Sequence, residues 1–340
     1  MPETRPFETP EPEWLEFLVA NGLARRGEES RWIPLTGGVS SDIWRVDLPG
    51  RSLCVKRALA DLKVAADWQA PVSRNAYEWA WLCFASQCEP VSVPRPLAHD
   101  EQAGLFAMEF LDPAEYPVWK SQLMQADART NTAAAVGGLL GRLHAASAFD
   151  PALAAAFDTS DIFYALRMDA YLLETGRRNP DLAAPLRDLV DGTLSRRIAL
   201  VHGDVSPKNI LVGPKGPVFV DAETAWFGDP AFDVAFCLNH LLLKCLVWPK
   251  SVDDYLACFE AFTHAYMEQV DWEAPAGLEA RAAALLPALM LARVDGKSPV
   301  EYLTGETQKN LVRKVAAPLV AEPVQALAEV AARWRLVFDA

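Results

Sequence analysis

The feature that most constrains the fold is a change in the spacing of the apolar residues along the chain. Short strand-like runs cover 31–35, 42–48, 52–58 and 104–111, with glycine-containing turns between the first three. Helical spacing covers 13–20 and 73–86 and then dominates the rest, over 128–147, 161–175, 181–195, 231–246, 252–269, 277–292 and 318–334. This pattern predicts an α+β fold with a small β-rich N-terminal lobe and a larger, mainly helical C-terminal lobe.

The same pattern divides the chain into three parts. Residues 1–107 form the expected N-terminal lobe, in which 1–12 is a loose, Pro-rich tail, and residues 114–340 form the C-terminal lobe. Residues 108–113 end in Asp112-Pro113 and are the expected hinge. Because ligands favour clefts between such units, we expect a binding site near the hinge.

Composition narrows the class of protein. Of the 340 residues 51% are hydrophobic and 23% charged, which predicts a packed core. The net charge of −13 disfavours nucleic-acid binding, which needs clustered Lys and Arg. No apolar run reaches the roughly 18 residues that span a bilayer, and the N-terminus lacks the pattern of a signal peptide. None of the six cysteines forms a C-x-x-C pair, so we expect free thiols. Together these features predict a cytoplasmic protein without a membrane partner.

Residues 200–223, LVHGDVSPKNILVGPKGPVFVDAE, hold polar side chains at the ends of two apolar runs. A symmetric hairpin centred on Lys215 would place Asn209 opposite Asp221, with Cβ atoms roughly 5 Å apart. An amide oxygen and a carboxylate at that spacing suit Mg²⁺. If the chain stays extended, Glu223 lies on the same side as Asp221 and adds a second carboxylate.

Asp204 ends the preceding apolar run, five residues before Asn209. A carboxylate beside the metal, without binding it, suits a base that receives a hydroxyl proton. The alternative for each of these residues is a turn cap, which is common for Asp and Asn at strand ends. All four side chains at one consistent register favour a site.

The N-terminal lobe offers groups for an anion. Gly37, Gly38, Ser40 and Ser41 lie between two strand-like runs, where backbone N–H groups can approach a phosphate closely, although an ordinary hairpin turn has the same composition. No Walker A motif follows.

Lys56 ends an apolar run. Its ammonium group either reaches solvent or forms an ion pair. Glu78, 22 residues later on a predicted helix, is the expected partner.

The order of these motifs resembles the aminoglycoside phosphotransferase and choline kinase-like family, which has a two-lobed, protein-kinase-like fold. The resemblance runs from about residue 33 to the C-terminal helices and rests on His202-Gly203-Asp204-x₄-Asn209, followed by Asp221-x-Glu223. The segment 220–233 looks most like the methylthioribose kinase branch. It implies ATP as phosphate donor, Mg²⁺, and a hydroxyl of a small molecule as acceptor.

Residue roles follow from the resemblance by position. Asp204 is the implied catalytic base, Asn209 contributes to catalysis and holds Mg²⁺ with Asp221, and Glu223 assists. The implied nucleotide contacts come from Gly37, Gly38, Ser40, Ser41, Lys56, Glu78 and the backbone of Glu109, Phe110 and Leu111. His202 and Asp233 are expected to support the loop around Asp204.

Several alternatives stay open. Lys208 either contacts the γ-phosphate or faces solvent, and Arg293, Asp295 and Lys297 either reach the acceptor or form a solvated helix end. Other classes of function are a nucleotide-binding pseudokinase and a metal-dependent hydrolase built on His202, Asp204 and His240. The sequence leaves the acceptor and the oligomeric state open, and the acidic net charge favours a cationic or neutral acceptor over a polyphosphorylated one.

Overall fold

A computed structural model describes residues 11–35, 41–59 and 73–339. The N-terminal part is one antiparallel sheet of five strands in the order β1-β2-β3-β5-β4. Its strands are β1 (Arg31–Pro34), β2 (Ser41–Leu48), β3 (Arg51–Ala58), β4 (Pro96–Asp100) and β5 (Leu105–Glu109). The four strand-like runs predicted here are confirmed, and β4 is an addition. It begins at a proline on the edge of the sheet, where a missing N–H costs no ladder bond.

Helix α1 (Pro12–Ala20) covers one face of this sheet and gives the lobe its own hydrophobic core. Trp14, Phe17 and Leu18 recur at helical spacing and are all buried. The Trp14 and Trp44 rings meet edge to face with centroids 6.5 Å apart. Such aromatic pairs stabilise a packing by about 0.5–1.5 kcal/mol beyond the area that they bury.

Helix α2 (Arg74–Cys88) lies between β3 and β4 in sequence, and the other helices follow the sheet. They are α3 (Trp119–Leu123), α4 (Thr130–Ser147), α5 (Pro151–Ala156), α6 (Ser160–Phe163), α7 (Glu174–Arg178), α8 (Ala183–Leu194), α9 (Ala231–Cys245), α10 (Val252–Met267), α11 (Pro275–Asp295), α12 (Glu306–Ala321) and α13 (Leu327–Arg335). A π-helix spans Tyr164–Leu173, and 3₁₀ turns span Pro180–Leu182, Pro207–Asn209 and Pro249–Ser251. Two small antiparallel pairs complete the chain: β6 (Ala199–Val201) with β9 (Trp226–Gly228), and β7 (Ile210–Gly213) with β8 (Gly216–Phe219).

The helical part has a second hydrophobic core, built around α9. Every residue of α9 is buried, which explains why its sequence is apolar on all sides. Helices α10 and α11 pack against it, and α4 packs against α10. The predicted division into a small β-rich lobe and a larger helical lobe is confirmed, with a separate core in each.

Two predicted helices are wrong in detail. The segment 318–334 covers the end of α12 and most of α13, with a break between them, and Pro318 lies inside α12. A proline inside a helix costs about 3 kcal/mol, and burial of Leu319 and Val320 beside it offsets that cost. The segment 161–175 changes from α to π winding at Tyr164, a change that no apolar spacing indicates.

One helix among the described residues, Pro275–Asp295, is long and apolar enough to cross a membrane. Its residues are mostly buried against α9 and the other helices, as in the core helix of a globular protein. Helix α9 and the segment Pro249–Met267 pass the same test only as a pair, across a bend of 118°.

Candidate functional site

The hairpin that carries Asn209 and Asp221 has a register one residue away from the predicted one. Ile210 pairs with Phe219 and Gly213 with Gly216, so the turn contains only Pro214 and Lys215. Gly216, which follows the turn and begins β8, has a φ of +129°, a backbone conformation that side-chain-bearing residues rarely adopt. Asn209 therefore faces Val220, whose N–H donates to its carbonyl (3.0 Å), and the predicted pairing with Asp221 is wrong.

The side chain of Asp221 nevertheless reaches Lys56, because of an unusual backbone conformation. Its φ is +67°, in the left-handed region that non-glycine residues adopt rarely. Such backbone strain gathers at functional sites, where the surroundings hold it in place. The extended conformation that would align Glu223 with Asp221 is therefore absent. Instead Glu223 accepts a hydrogen bond from Arg74 Nε (2.9 Å).

Lys56 joins the sheet to the helical lobe. Its Nζ lies 2.7 Å from Glu78 Oε1 and 2.6 Å from Asp221 Oδ1, and the side chain is almost fully buried. The predicted ion pair between Lys56 and Glu78 is thus present. The second partner of Lys56 is Asp221, in the segment that follows β8.

The charges of this cluster are unevenly compensated, because one ammonium serves two carboxylates. Burial disfavours the charged form of Lys56, but Asp221 and Glu78 outweigh it and raise its pKa. Against the effect of burial, Lys56 and Lys208 lower the pKa of Asp221. Burial raises the pKa of Glu78 to about 7, although Lys56 opposes this shift. The cluster therefore carries an excess of negative charge that a cation entering the cleft would relieve.

Asp204 lies on the loop between β6 and β7, and its contacts converge on one carboxylate oxygen. Oδ2 accepts a hydrogen bond from Asn209 Nδ2 at 2.9 Å. Arg167 Nη2 lies 3.3 Å from the same oxygen, and Lys208 Nζ lies 3.2 Å from it. No described residue forms a hydrogen bond with Oδ1. One oxygen is thus held in place and the other is available to a ligand.

The loop around Asp204 is anchored by a buried carboxylate from α9. Asp233 accepts hydrogen bonds from the backbone N–H groups of His202 (2.7 Å) and Gly203 (2.9 Å), as expected for a supporting residue. His202 accepts from the N–H of Asp204 through Nδ1 (3.2 Å) and faces the Val220 carbonyl through Nε2 (3.2 Å). Burial lowers the pKa of His202, so it is a neutral support.

Gly203 shows how tightly the same loop is packed. Its φ is +79°, and a Cβ at this position would lie 2.5 Å from the Thr224 carbonyl oxygen. Only glycine combines that backbone angle with so close an approach.

We expect the Asp233→Ala variant to lose about 3–5 kcal/mol of unfolding free energy, because two buried N–H groups lose a charged acceptor. Urea unfolding followed by tryptophan fluorescence measures this loss. The exposed helical residue Asp188 provides the control, and Asp188→Ala should change the stability by less than about 0.5 kcal/mol. A loss below about 1 kcal/mol in Asp233→Ala would contradict the anchoring role.

The sequence reasoning missed two buried arginines. Arg167, on the π-helix, donates to the Gly203 carbonyl (2.5 Å) and lies beside the rings of Tyr171 and Phe236. Arg74 is fully buried at the start of α2 and binds Glu223. Both sit on the apolar face of a predicted helix, where an arginine almost always has a partner. That mismatch was the available signal, since the partners themselves come from distant parts of the chain.

The nucleotide side of the cleft is described in part. Gly37, Gly38 and Ser40 lie outside the described residues. Ser41 begins β2, and its buried hydroxyl has no hydrogen-bond partner among the described residues. Past the end of β5, the backbone N–H groups of Phe110 and Leu111 donate to no other described residue, and Arg45 stacks on the Phe110 ring at 4.4 Å.

Lys208 and the charged residues at the end of α11 have different surroundings in the structure. Lys208 contacts Asp204, although its side chain is half exposed. Asp295 pairs with Arg313, and Lys297 pairs with Asp169, so both are engaged away from Asp204. Arg293 points inward, toward the Tyr171 hydroxyl (2.9 Å).

A divalent metal has oxygen ligands available at the predicted place. The side-chain amide nitrogen of Asn209 donates to Asp204. The side-chain amide oxygen of Asn209 accepts no hydrogen bond from a described residue. Asp221 has one oxygen on Lys56 and the other without a hydrogen bond to a described residue. Hard oxygens of this kind fit Mg²⁺, which keeps several waters and needs few protein ligands. Within the described ranges, no three His, Cys, Asp or Glu side chains converge in the way a protein-only metal site requires.

Sequence comparison identifies the protein family. Residues 31–244 match the model of a phosphotransferase enzyme family (APH). A methylthioribose kinase of Yersinia pseudotuberculosis is 26% identical over 216 residues, which cover 56% of this chain and 53% of the relative. One from Bacillus cereus is 25% identical over 232 residues, covering 60% and 58%. The chain therefore spans little more than half the length of these curated relatives.

Solved structures extend the similarity to the whole fold. Ethanolamine kinase from Plasmodium vivax superposes with a TM-score of 0.57, covering 94% of this chain and 93% of that one at 12% identity. A choline/ethanolamine kinase family protein from Mesorhizobium loti gives a TM-score of 0.51 over 95% and 97% at 15% identity. Such identities carry the two-lobed fold and nothing finer.

Proposed function

Because this chain belongs to the phosphotransferase enzyme family, we propose that it is a kinase that transfers the γ-phosphate of ATP to a hydroxyl group of a small molecule. The observation that carries the proposal is Lys56, which bridges Glu78 in the N-terminal lobe and Asp221 in the helical lobe. A buried cation between two lobes suits a polyphosphate bound in the cleft. The similarity to methylthioribose kinases and to the ethanolamine kinase fold supports a small acceptor.

Asp204 is the proposed base. Its Oδ2 is held by Asn209, while Oδ1 has no partner among the described residues, so the acceptor hydroxyl has a defined oxygen to approach. As the hydroxyl oxygen forms its bond to the γ-phosphorus, its proton passes to Asp204 and ADP leaves with the electrons of the broken P–O bond. Most of the rate enhancement comes from alignment and charge stabilisation, because phosphoryl transfer needs little covalent help.

The nucleotide is proposed to lie between the sheet and the segment 108–113, which we propose as the hinge. The free N–H groups of Phe110 and Leu111, with the backbone of Glu109, suit the edge of an adenine ring. Lys56 neutralises phosphate charge and Glu78 keeps its ammonium in place. The Ser41 hydroxyl, which has no partner among the described residues, would have an acceptor in the same phosphates, and we propose Gly37, Gly38 and Ser40 as further phosphate contacts.

Mg²⁺ is the proposed metal, held by the Asn209 carbonyl oxygen and the Asp221 carboxylate. When bound, it supplies positive charge that shields the phosphates. Glu223 is held by Arg74, so we propose that it acts on metal-bound water rather than as a direct ligand. The excess negative charge around Lys56 supports a cation at this place.

Two other readings make different demands. A pseudokinase would bind ATP without transfer, which does not require the ordered contacts around Asp204. A metal-dependent hydrolase needs a ligand set from His202, Asp204 and His240. His202 is committed to the backbone and His240 is bound to Tyr302, so that set has no support among the described residues.

The first test is ADP release from Mg-ATP with a panel of acceptors: methylthioribose, ethanolamine, an aminoglycoside and small hydroxy acids. We expect turnover with one acceptor class and tight binding of Mg-ATP without any acceptor. Binding without turnover on any acceptor, or with water, favours the pseudokinase. Failure to bind Mg-ATP would refute the proposed function.

Glu78→Gln offers a sharper test of the Lys56 cluster. Burial raises the pKa of Glu78 to about 7 and so opposes its charged form, which is why the neutral glutamine should preserve most of the stability. We expect kcat/KM for ATP to fall at least about 10-fold, since Lys56 loses the charge that orients it. The matched control is Glu260→Gln, at an exposed position on α10. Unchanged kinetics in Glu78→Gln would remove Glu78 from the nucleotide site.

A further inference from the structure

A cluster of basic side chains lies in the helical lobe. We call Lys120, His240, Lys244 and Arg293 the basic cluster; they come from α3, α9 and α11. Lys244 is fully buried in the last turn of α9. No carboxylate of a described residue lies within 4.0 Å of it, and its Nζ faces the Tyr302 ring at 4.7 Å and the His240 carbonyl at 3.5 Å.

Two neighbouring side chains in the cluster each have one nitrogen without a hydrogen-bond partner among the described residues. His240 is 5% exposed, and its Nδ1 lies 3.2 Å from the Tyr302 hydroxyl, while Nε2 has no hydrogen-bond partner. Arg293 Nη1 binds the Tyr171 hydroxyl and Ser298, but its buried Nε has no partner. Two unsatisfied nitrogens, one on α9 and one on α11, beside a buried ammonium without a carboxylate are costly to a fold unless a ligand satisfies them.

The local field is positive, although the whole chain carries a charge of −13. Together with burial, the charges of Lys244, Arg293, Lys208 and Lys120 lower the pKa of His240. The neighbouring carboxylate Glu301 is exposed and already paired with Lys120. The acidic chain thus offers many carboxylates, yet none of the described ones is placed beside Lys244.

The basic cluster is connected to the reacting centre through Tyr171. The Arg293 guanidinium lies 5.4 Å from the Tyr171 ring and the Arg167 guanidinium 5.6 Å from it, and Arg167 contacts Asp204. On another side, α3 packs against the turn Pro207–Asn209, which brings Lys120 near the loop around Asp204. These contacts link the basic cluster to the residues that surround Asp204.

We propose that the acceptor of this kinase carries an acid group, a carboxylate or a phosphate, which binds Lys244 Nζ, His240 Nε2 and Arg293 Nε while its hydroxyl faces Asp204. The inference rests on the proposed function and specifies its substrate class. It replaces the expectation, drawn from net charge, of a cationic or neutral acceptor, because the field at the site has the opposite sign to the net charge.

A purely structural role for Lys244 makes different predictions. The face of Tyr302 and the carbonyls at the end of α9 would then suffice to hold the ammonium. In that case Lys244→Met, which keeps the length of the side chain, would leave the choice of acceptor unchanged. The tests below therefore read out selectivity and proton uptake as well as activity.

The first experiment compares acceptors that differ only in an acid group: glycerol with D-glycerate for a carboxylate, and D-ribose with D-ribose 5-phosphate for a phosphate. We expect kcat/KM to be at least about 10-fold higher for one acid than for its neutral partner. Lys244→Met and Arg293→Met should each remove most of this preference by raising the KM of the acid. Lys297→Met is the control and should retain it, because Lys297 pairs with the partly buried Asp169 outside the basic cluster.

The second experiment needs no acceptor. Malonate and inorganic phosphate are titrated into the protein saturated with Mg-AMP-PNP, so that the phosphate site of the nucleotide is filled. We expect binding that weakens at least about 10-fold in Lys244→Met and in the half-buried Arg293→Met, each verified as folded by circular dichroism. If nucleotide binding fails altogether, the same titration without nucleotide still tests the cluster, so the two failures are distinguishable.

The pH dependence separates an anion site from a packing lysine. Burial and the charge of Lys120 lower the pKa of Lys244 to about 7, with Arg293 acting in the same direction and Glu301 and Cys237 opposing. Above pH 7 an anion would bind with uptake of a proton, and its affinity would fall as the pH rises. Titration calorimetry in two buffers of different ionisation enthalpy measures that uptake. Equal kcat/KM for acids and neutral partners, with no anion binding in the titrations, would overturn the proposal.

Discussion

Replacing Asp204 by asparagine is expected to lower kcat by about 10²–10⁴-fold and to leave the affinity for Mg-ATP within about 3-fold. Asparagine keeps the shape of the side chain and an oxygen that Asn209 and Arg167 can hold, but it cannot take the proton of the acceptor. Arg167 and Lys208 lose a charged partner in this variant, but Arg167 still donates to the Gly203 carbonyl, so we expect the loop to keep its shape. ADP release at saturating acceptor measures kcat, and fluorescence titration measures nucleotide affinity.

The control for this variant is Asp271→Asn, which removes an exposed carboxylate far along the chain from the loop. Its kcat should equal that of the unmodified protein. If Asp204→Asn kept more than about a tenth of the activity, proton transfer to Asp204 would not be part of the reaction. If instead Mg-ATP affinity and kcat fell together, Asp204 would belong to the metal site.

The parts of the site that were predictable share one property: each depends on local sequence. Strand and helix spacing located Lys56 at the end of β3 and Glu78 on α2, and opposite charges on neighbouring elements then indicated the ion pair that is present. The loop around Asp204 was equally accessible, because a strand followed by a short polar turn presents its side chains at the end of a sheet.

The hairpin register failed because two turns are compatible with Gly213-Pro-Lys-Gly216. A three-residue turn and a two-residue turn both accept this composition, and the choice depends on the backbone of Gly216. The one-residue shift should have turned Asp221 away from the cleft. The left-handed conformation of Asp221 compensates for the shift, so its carboxylate still reaches Lys56 although the predicted pairing with Asn209 was wrong.

The buried cations could not be predicted from spacing alone. Arg167 and Lys244 stand among apolar residues on helices, and the sequence indicates only that each needs some partner. The partners are distant in sequence. Asp204 lies 37 positions from Arg167, and Tyr302, which contacts Lys244, follows the end of α11. The π winding that aims Arg167 at the loop is likewise a tertiary result.

Replacing Asp221 is expected to abolish most of the contribution of Mg²⁺ to nucleotide binding. In Asp221→Ala we expect the affinity for ATP with Mg²⁺ to fall about 100-fold, because the site loses its charged oxygen ligand. Without Mg²⁺ the affinity should be unchanged or higher, since a carboxylate facing the phosphates has been removed. Isothermal titration of ATP with and without Mg²⁺ gives the two values in one protein.

The stability of the same variant distinguishes a metal ligand from a structural carboxylate. Lys56 keeps Glu78 as a partner (2.7 Å), and the pKa of Glu78 should fall from about 7 because the repulsion from Asp221 is gone. These changes leave one balanced ion pair, so the unfolding free energy should change little. Alanine is disfavoured at a φ of +67°, whereas asparagine tolerates it, so Asp221→Asn separates the effect of charge from that of the backbone. If both variants lost Mg-ATP affinity and metal-free ATP affinity equally, Asp221 would serve Lys56 alone and the metal would have to be held elsewhere.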